Sequence, residues 1–287
     1  MVGKVCLVTG ATSGIGKAAA TALAAQGAEV VIAGRNQRKA AETVSWIKAE
    51  TGNDAVQYLL ADFSDLDQVR ELAKAIKKQT SHLDVLVNNA GAFFNRRRGA
   101  PNGLEMTFHV NHLAPFLLTN QLLETLQASE SARIVNVSSD GHRYGTMDFE
   151  NLGFGRGYSG MKAYARSKLA NVLFTHELAR RLDGGQTTVN ALHPGHVATD
   201  MYKTGFPLIG SALKWVMGFF ALTPQQGAET TVYLASSPEV EGISGKYYAK
   251  REAVQSSPLS YDREVAQRLW EVSEELTNHH VADDSGL

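Results

Sequence analysis

Six short runs rich in apolar and β-branched residues, KVCLVTG, AEVVIAG, VQYLLAD, LDVLVNNAG, ARIVNVSS and TVNALHPG, recur along the chain with longer helix-like segments between them. The helix-like segments run from Lys17 to Gln26, Arg38 to Thr51, Leu66 to Thr80, Leu104 to Ala128 and Lys162 to Leu182, the last with Leu169, Val172, Leu173 and Leu178 at helical spacing. Strands joined by helical crossovers pair in parallel, and a parallel sheet must be covered on both faces. Runs such as VVIAG and IVNVSS are continuously apolar, as strands buried on both faces require. The pattern therefore predicts an α/β fold with a doubly wound parallel sheet and helices on both faces. No linker-like stretch or internal repeat divides the 287 residues, so one domain over 1–287 is expected.

Charge narrows the partners. With Lys+Arg 28 against Asp+Glu 29, the net charge of −1 favours neither nucleic acid nor an anionic membrane. Small molecules are the expected ligands, and a homo-oligomer is compatible with everything in the sequence. The single cysteine, Cys6, lies in the apolar run VCLV and reads as a small buried hydrophobe. No disulfide framework or zinc cluster is available, which fits a reducing cytoplasm. The start, MVGKVCLVTG, reads as a strand rather than a leader. The longest apolar stretch, Leu208 to Leu222, carries Lys214 and falls short of the roughly 20 residues of a spanning helix, so no membrane span is expected.

Between the first strand and the first helix lies Thr9-Gly10-Ala11-Thr12-Ser13-Gly14-Ile15-Gly16. Glycines there permit a tight turn and let a pyrophosphate approach the N–H groups opening the helix. Gly10, Ser13, Gly14, Ile15 and Gly16 are thus candidate dinucleotide contacts on a single Rossmann-type sheet. The next strand ends in AGR. An acid at this place binds the ribose hydroxyls, whereas a guanidinium can take a 2′-phosphate bidentately, so Arg35 points to NADP(H).

The stretch YSGMKAYARSK holds Tyr-x-x-x-Lys twice, as Tyr158 with Lys162 and as Tyr164 with Lys168. The spacing puts both side chains on one face only in a helix. Gly160 interrupts the first pair, with Gly155 and Gly157 upstream, whereas nothing breaks the second. Tyr164 and Lys168 are the better organised acid/base pair. A phenol with an ordinary pKa of about 10 needs a nearby cation to serve as a base at neutral pH.

TGATSGIG, Asp62, Asn88-Asn89-Ala90-Gly91, Asn111, Ser138-Ser139, Tyr164-x-x-Ser167-Lys168 and His193-Pro194-Gly195 occur in an order that resembles the short-chain dehydrogenase/reductase family over nearly the whole chain. FHVNHLAPFLLT, SKLANVLFTHELARRL, TPQQGAETTVYLA and RLWEVSEEL resemble its retinol-dehydrogenase-like branch. The resemblance implies Tyr164 as acid/base, Lys168 as its activator and ribose ligand, Ser139 as ligand of the substrate oxygen, and Asn111 as holder of a relay water. It also implies cofactor contacts from Asp62 and Phe63 (adenine), from Asn89, Ala90 and Gly91, and from Pro194, Gly195, Val197 and Thr199 (carboxamide). Asp62 reads equally as a cap for the following helix. The stretch from Asp140 to Ala163 is longer than in the shortest relatives.

Residues 200–223 resemble the family's substrate lid, and the apolar side chains there would suit a hydrophobic aldehyde, ketone or alcohol. Core, a subunit contact or a membrane-interfacial helix are alternatives for them. The pairs His109/His112 and His193/His196 lack an accompanying acidic or cysteine cluster and read as core or loop rather than metal ligands. Arg96-Arg97-Arg98 reads as a solvated loop tip. No G-x-S-x-G elbow supports a hydrolase. The expected activity is hydride transfer between NADP(H) and an apolar carbonyl or alcohol, with a non-catalytic NADP(H) sensor as the alternative.

Overall fold

A computed structural model describes residues 1–101, 103–182, 185–195 and 222–278. β1 (Val5–Thr9), β2 (Glu29–Gly34), β3 (Val56–Leu60), β4 (Val85–Asn88), β5 (Arg133–Val137) and β6 (Thr188–His193) match the six expected strands. α1 (Gly14–Ala25), α2 (Gln37–Thr51), α3 (Leu66–Gln79) and α6 (Gly160–Arg181) match four of the helices. The fifth is composite: α4 (Met106–Phe108), a π-helical turn (His109–Leu113) and α5 (Ala114–Gln127). Its start is set by Glu105, whose carboxylate accepts from the Phe108 amide at 2.9 Å.

Three elements appear where the sequence predicted none: α7 (Pro224–Ser236), the hairpin β7 (Tyr247–Ala249) and β8 (Glu252–Val254), and α8 (Arg263–Asn278). A capping box between Thr223 and Gln226, with Pro224 in the first turn, starts α7. Lys250 and Arg251, at φ 52° and 66°, form the two-residue turn of the hairpin.

The sheet order is β3-β2-β1-β4-β5-β6-β7-β8, parallel except for the last pair. The chain winds outward from β1 to β3, returns to β4 and continues the other way. The switch point is therefore the crevice beyond the carboxyl ends of β1 and β4, where doubly wound sheets bind ligands. β3 is an edge strand: Gln57, Tyr58 and Leu59 are half-buried and Leu60 is exposed, contrary to the expectation of burial on both faces.

Two apolar clusters pack on the sheet's two faces. One joins Leu7, Val31, Leu86 and Ile134 to Leu72 and Ile76 of α3 and to Phe116 and Leu122 of α5; the other joins Val8, Ile32, Val87 and Val135 to Leu23 of α1 and Leu234 of α7. Polar groups then fix the strands' registry. Asn88 donates to Thr119 and Asn136, and Asn136 donates to Thr175, so β4 and β5 are tied to α5 and α6 through buried amides. No helix among the described residues is long and apolar enough to cross a membrane.

At the amino ends of β1 and β4, opposite the crevice, buried Asp84 accepts from the Val5 amide at 2.8 Å, Ser129 Oγ at 2.6 Å and Lys4 Nζ at 3.0 Å. Burial alone would raise its pKa, but these donors outweigh it and hold the carboxyl below its ordinary value. A depressed folded pKa stabilises fully above the unfolded value near 4, and that contribution is lost as pH falls through the folded value. Asp84→Ala, which strands the Val5 amide, should cost about 1–3 kcal/mol. Thermal melts at pH 7 and pH 3 should show a mutant deficit that shrinks on acidification; an equal deficit at both would remove the carboxylate from the account.

Candidate active site

Four strand ends open on the crevice, and each delivers predicted residues: Gly10 after β1, Asn89 after β4, Ser138 and Ser139 after β5, Pro194 after β6. The glycine loop fits a pyrophosphate for visible reasons. Gly10 and Gly14 have φ of 64° and 56°, which side-chain-bearing residues rarely adopt. A Cβ on Gly16 would lie 2.6 Å from the Gly10 carbonyl and collide with Asn89, so α1 can begin this close to β1 only through glycine. Ser13 stands at the N-cap of α1 without a side-chain cap, which leaves the N–H groups at Gly14, Ile15 and Gly16 directed along the helix start.

Asn89 locks this loop from the next strand. Its Nδ2 donates to the Thr9 carbonyl at 2.8 Å and the Gly10 carbonyl at 3.3 Å, while Thr9 Oγ1 accepts from the Asn89 and Ala90 amides. Asn88, by contrast, is buried in the interstrand amide network. The division follows the reading in which Asn89 faces the crevice and Asn88 satisfies buried groups.

Arg35 follows β2 and is 75% exposed, with its guanidinium 3.7 Å from the Asp62 carboxylate. Asp62 also accepts from the Ser64 amide at 3.0 Å and hydroxyl at 2.8 Å. It closes that turn, but it is not the helix cap: α3 is capped by Asp65. Phe63 is buried in the core cluster that also holds Val69 and Leu72.

The duplicated tyrosine resolves clearly. Tyr158 precedes α6 in irregular backbone, donates to the Phe94 carbonyl at 2.6 Å and packs edge-on against Phe154. Burial and the nearby Glu105 carboxylate push its pKa up to about 12, and Lys162 is exposed on the helix. Tyr164 and Lys168 lie one turn apart within α6, with the lysine Nζ 5.6 Å from the tyrosine ring centre. Lys168 is almost wholly enclosed, and burial lowers its pKa to about 8. Its Nζ donates to the Val137 carbonyl at 2.9 Å, and Ser138 Oγ donates back to the Lys168 carbonyl at 2.8 Å.

Ser138 is therefore structural, and Ser139 is the serine beside Tyr164. A Cβ built on Gly141 would lie 3.5 Å from both Ser139 Oγ and Tyr164 Cε1, so the two groups border one small space. Ser139 Oγ accepts from the Gly141 amide at 3.1 Å, leaving its proton to donate elsewhere. Across the crevice, a Cβ on Gly91 would lie 3.4 Å from Asn111 Oδ1 and 3.8 Å from Lys168 Nζ. Asn111, in the π-helical turn, exchanges two hydrogen bonds with the Ala92 backbone and donates to Ser167 Oγ at 3.0 Å.

Arg166, which the sequence gave no reason to single out, is buried between Tyr164 and Lys168. It donates to the carbonyls of Thr146, Asn151 and Leu152 and stacks on Phe154, and so fastens the long insert to α6. Arg96, Arg97 and Arg98 are exposed in a loop, as expected of a solvated tip, and Arg97 also donates to the Gly153 and Gly103 carbonyls. Pro194 and Gly195, the latter at φ 83°, follow β6, whereas Val197, Thr199 and His196 lie outside the described residues, as does the expected lid apart from Leu222 and Thr223. His109 and His112 are buried with pKa values lowered by burial to about 4 and about 3, and His112 bonds Ser273 at 2.9 Å. Both are neutral core residues.

Residues 4–207 match the family model described as short chain dehydrogenase. Retinol dehydrogenase 14 from Mus musculus is 42% identical over 286 residues, covering 96% of this chain and 86% of its own length. Polyprenol dehydrogenase from Homo sapiens is 41% identical over 280 residues, with 96% and 85% covered. Among solved structures, a short chain dehydrogenase from Shigella flexneri complexed with NADP superposes with a TM-score of 0.71 at 26% identity, over 88% of this chain and 98% of that one. With its glycine loop, its Tyr164–Lys168 pair and these likenesses all in agreement, the chain belongs to the short chain dehydrogenase family and is retinol-dehydrogenase-like within it.

Proposed function

We propose that this protein is an NADP(H)-dependent oxidoreductase acting on a hydrophobic aldehyde, ketone or alcohol. The observation that carries the reading is the convergence of Ser139 Oγ and Tyr164 on the space over Gly141, with the buried Lys168 amine one turn behind the tyrosine. When bound, NADP(H) supplies or accepts the hydride. The glycine loop would hold its pyrophosphate, Asn89 to Gly91 and Pro194 to Gly195 would flank the rest, and Lys168 would reach the ribose.

Ser139, its hydroxyl proton unspent, donates to the substrate oxygen and polarises the carbon. In reduction Tyr164 gives its proton to that oxygen; in oxidation its phenolate removes the alcohol proton. Below about pH 8 Lys168 carries the charge that favours phenolate. A water bridging Asn111 Oδ1 and Lys168 Nζ would return the proton to solvent, since both atoms border the space at Gly91.

Two features support the finer points. Arg35 is exposed and only loosely engaged by Asp62, and such a pair is weak enough for a phosphate to take the guanidinium; the NADP-bound relative accords with this. The retinol and polyprenol named in the relatives are apolar alcohols, which favours a hydrophobic substrate.

NADPH oxidation, followed by absorbance with retinal or a long-chain aldehyde, tests the scheme. Tyr164→Phe should lower kcat by about 100-fold or more, whereas Tyr158→Phe should leave it within about twofold because that hydroxyl serves the Phe94 carbonyl. Tight NADPH binding without turnover by the intact protein would favour a sensor instead. Arg35→Ala should raise the KM for NADPH by about tenfold or more, the worth of a charged hydrogen bond, with little change for NADH. Equal effects on both cofactors would rule out 2′-phosphate recognition.

A further inference from the structure

Against the backbone of the candidate serine stands a histidine that the reaction scheme does not use. His142 is fully enclosed, with Nδ1 2.7 Å from the Ser139 carbonyl and Nε2 2.9 Å from the Ser257 amide nitrogen. A main-chain N–H can only donate, so Nε2 is the acceptor and the ring proton sits on Nδ1, donating to Ser139. Its two partners thus fix the neutral tautomer. The ring also packs on Tyr247, 4.7 Å between centroids.

Ser139 leads into a 3-10 turn, Asp140–Tyr144, whose hydrogen bonds are poorer than those of an α-helix. The turn contains Gly141, whose missing side chain leaves open the space shared by Ser139 and Tyr164. Glycine leaves that backbone conformationally loose, and hydrogen bonding to substrate needs a serine held within about 0.5 Å. An external brace is therefore needed, and residues 255–261 supply it. Arg143 adds a second tie by donating to the Gln255 carbonyl at 2.6 Å. The segment is itself anchored: Ser256 and Ser260 hydroxyls meet at 2.6 Å, Ser260 Oγ donates to the Ser257 carbonyl, and His176 of α6 bonds the Ser260 carbonyl at 2.8 Å.

We infer that His142 is a positioning residue for Ser139, its ring bolting the serine backbone to the chain at Ser257, 115 residues downstream, and so fixing where the Ser139 hydroxyl meets the substrate oxygen. The inference rests on Ser139 being the oxygen ligand.

A pH signature accompanies this role. Facing the ring are Asp140 and Arg143 from its own turn, His176 from α6 and Tyr247 from β7. Burial, helped by Arg143 and His176, lowers the His142 pKa, against the opposing pull of the Ser139 carbonyl and Asp140. An unfolded histidine protonates near pH 6.5. The brace therefore contributes fully above that pH, weakens as the unfolded chain takes up the proton below it, and is gone once pH falls through the lower folded value. Protonated Nε2 would confront the Ser257 N–H with a second donor.

Three variants separate positioning from bulk stability. In His142→Asn the amide Nδ2 occupies the place of the ring Nδ1 and can still hold Ser139; His142→Phe keeps the bulk and neither bond. His176→Gln loosens the same downstream segment without touching Ser139. With NADPH and decanal, His142→Phe should lower kcat on the order of 10-fold to 100-fold with cofactor KM unchanged. His142→Asn, which keeps the Ser139 bond but not the Ser257 one, should recover only part of the rate and lose the acid limb assigned to the ring. His176→Gln should lower Tm and cost kcat far less than His142→Phe, because both His142 bonds stay in place. Wild-type kcat in His142→Phe, or an equal loss in His176→Gln, overturns the inference. Ser139→Ala and Tyr164→Phe tell the two readings apart: if both turn over normally the reaction scheme fails, whereas if both are slow and His142→Phe is not, only the brace fails. Long-range proton–nitrogen NMR gives a readout free of turnover, since a ring protonated at Nε2 rather than Nδ1 would also overturn it.

Discussion

The reciprocal pair of hydrogen bonds between β5 and α6 governs everything at the crevice. Lys168 gives its ammonium to the Val137 carbonyl, and Ser138 gives its hydroxyl to the Lys168 carbonyl. The two contacts fix the height and rotation of the helix against the strand end. Given that docking, Ser139 follows Ser138 out of the sheet, Tyr164 stands one turn before Lys168, and their meeting over Gly141 follows from the backbone alone. Asn136 to Thr175 repeats the connection about two turns further along α6. Buried side-chain bonds of this kind are expensive to leave half-made, which gives the docking a single low-energy arrangement.

The same enclosure sets the charge available. An amine taken out of water resists protonation, and Lys168 is brought down to about pH 8, close to the range where its charge is useful. Its Nζ donates to the Val137 carbonyl and borders the space at Gly91, where a ribose or a water would meet its further N–H groups. Tyr158 shows the contrary environment. With a carboxylate nearby and no ammonium one turn away, its hydroxyl is driven away from ionisation and spends its proton on the Phe94 carbonyl. Identical residue types at identical spacing thus diverge because only one pair lies wholly inside the helix.

Much of this was legible in the sequence because it is local. The six parallel strands, the glycine loop and the choice of Tyr164 over Tyr158 depend on runs of ten or so residues and on where glycine interrupts them. The C-terminal hairpin was not legible: β7 and β8 have three residues each, too few for any periodicity, and the turn Lys250-Arg251 lacks the usual asparagine or glycine. Phe63 was assigned by its neighbour, but side chains alternate along the chain after β3, and its place falls on the core side. The partners of His142, Arg166 and Asn89 lie far away in sequence or on loops without pattern, so nothing local announces them. Such contacts are properties of the folded molecule.

The reaction space is bounded as much by missing side chains as by present ones. Gly91 leaves room beside Asn111 and Lys168, Gly141 leaves room beside Ser139 and Tyr164, and Gly16 lets α1 close on the loop that receives a pyrophosphate. Each absence loosens the backbone where placement matters most. Near each, a polar side chain, buried at Asn111 and His142 and half-buried at Asn89, grips the neighbouring main chain: Asn111 the Ala92 backbone, His142 the Ser139 carbonyl, Asn89 the Thr9 and Gly10 carbonyls. Openness toward the ligand and rigidity from behind are thereby assigned to different residues. A substitution can then disturb one without the other, and the braces, which touch no substrate, can shape the rate as much as the groups that do.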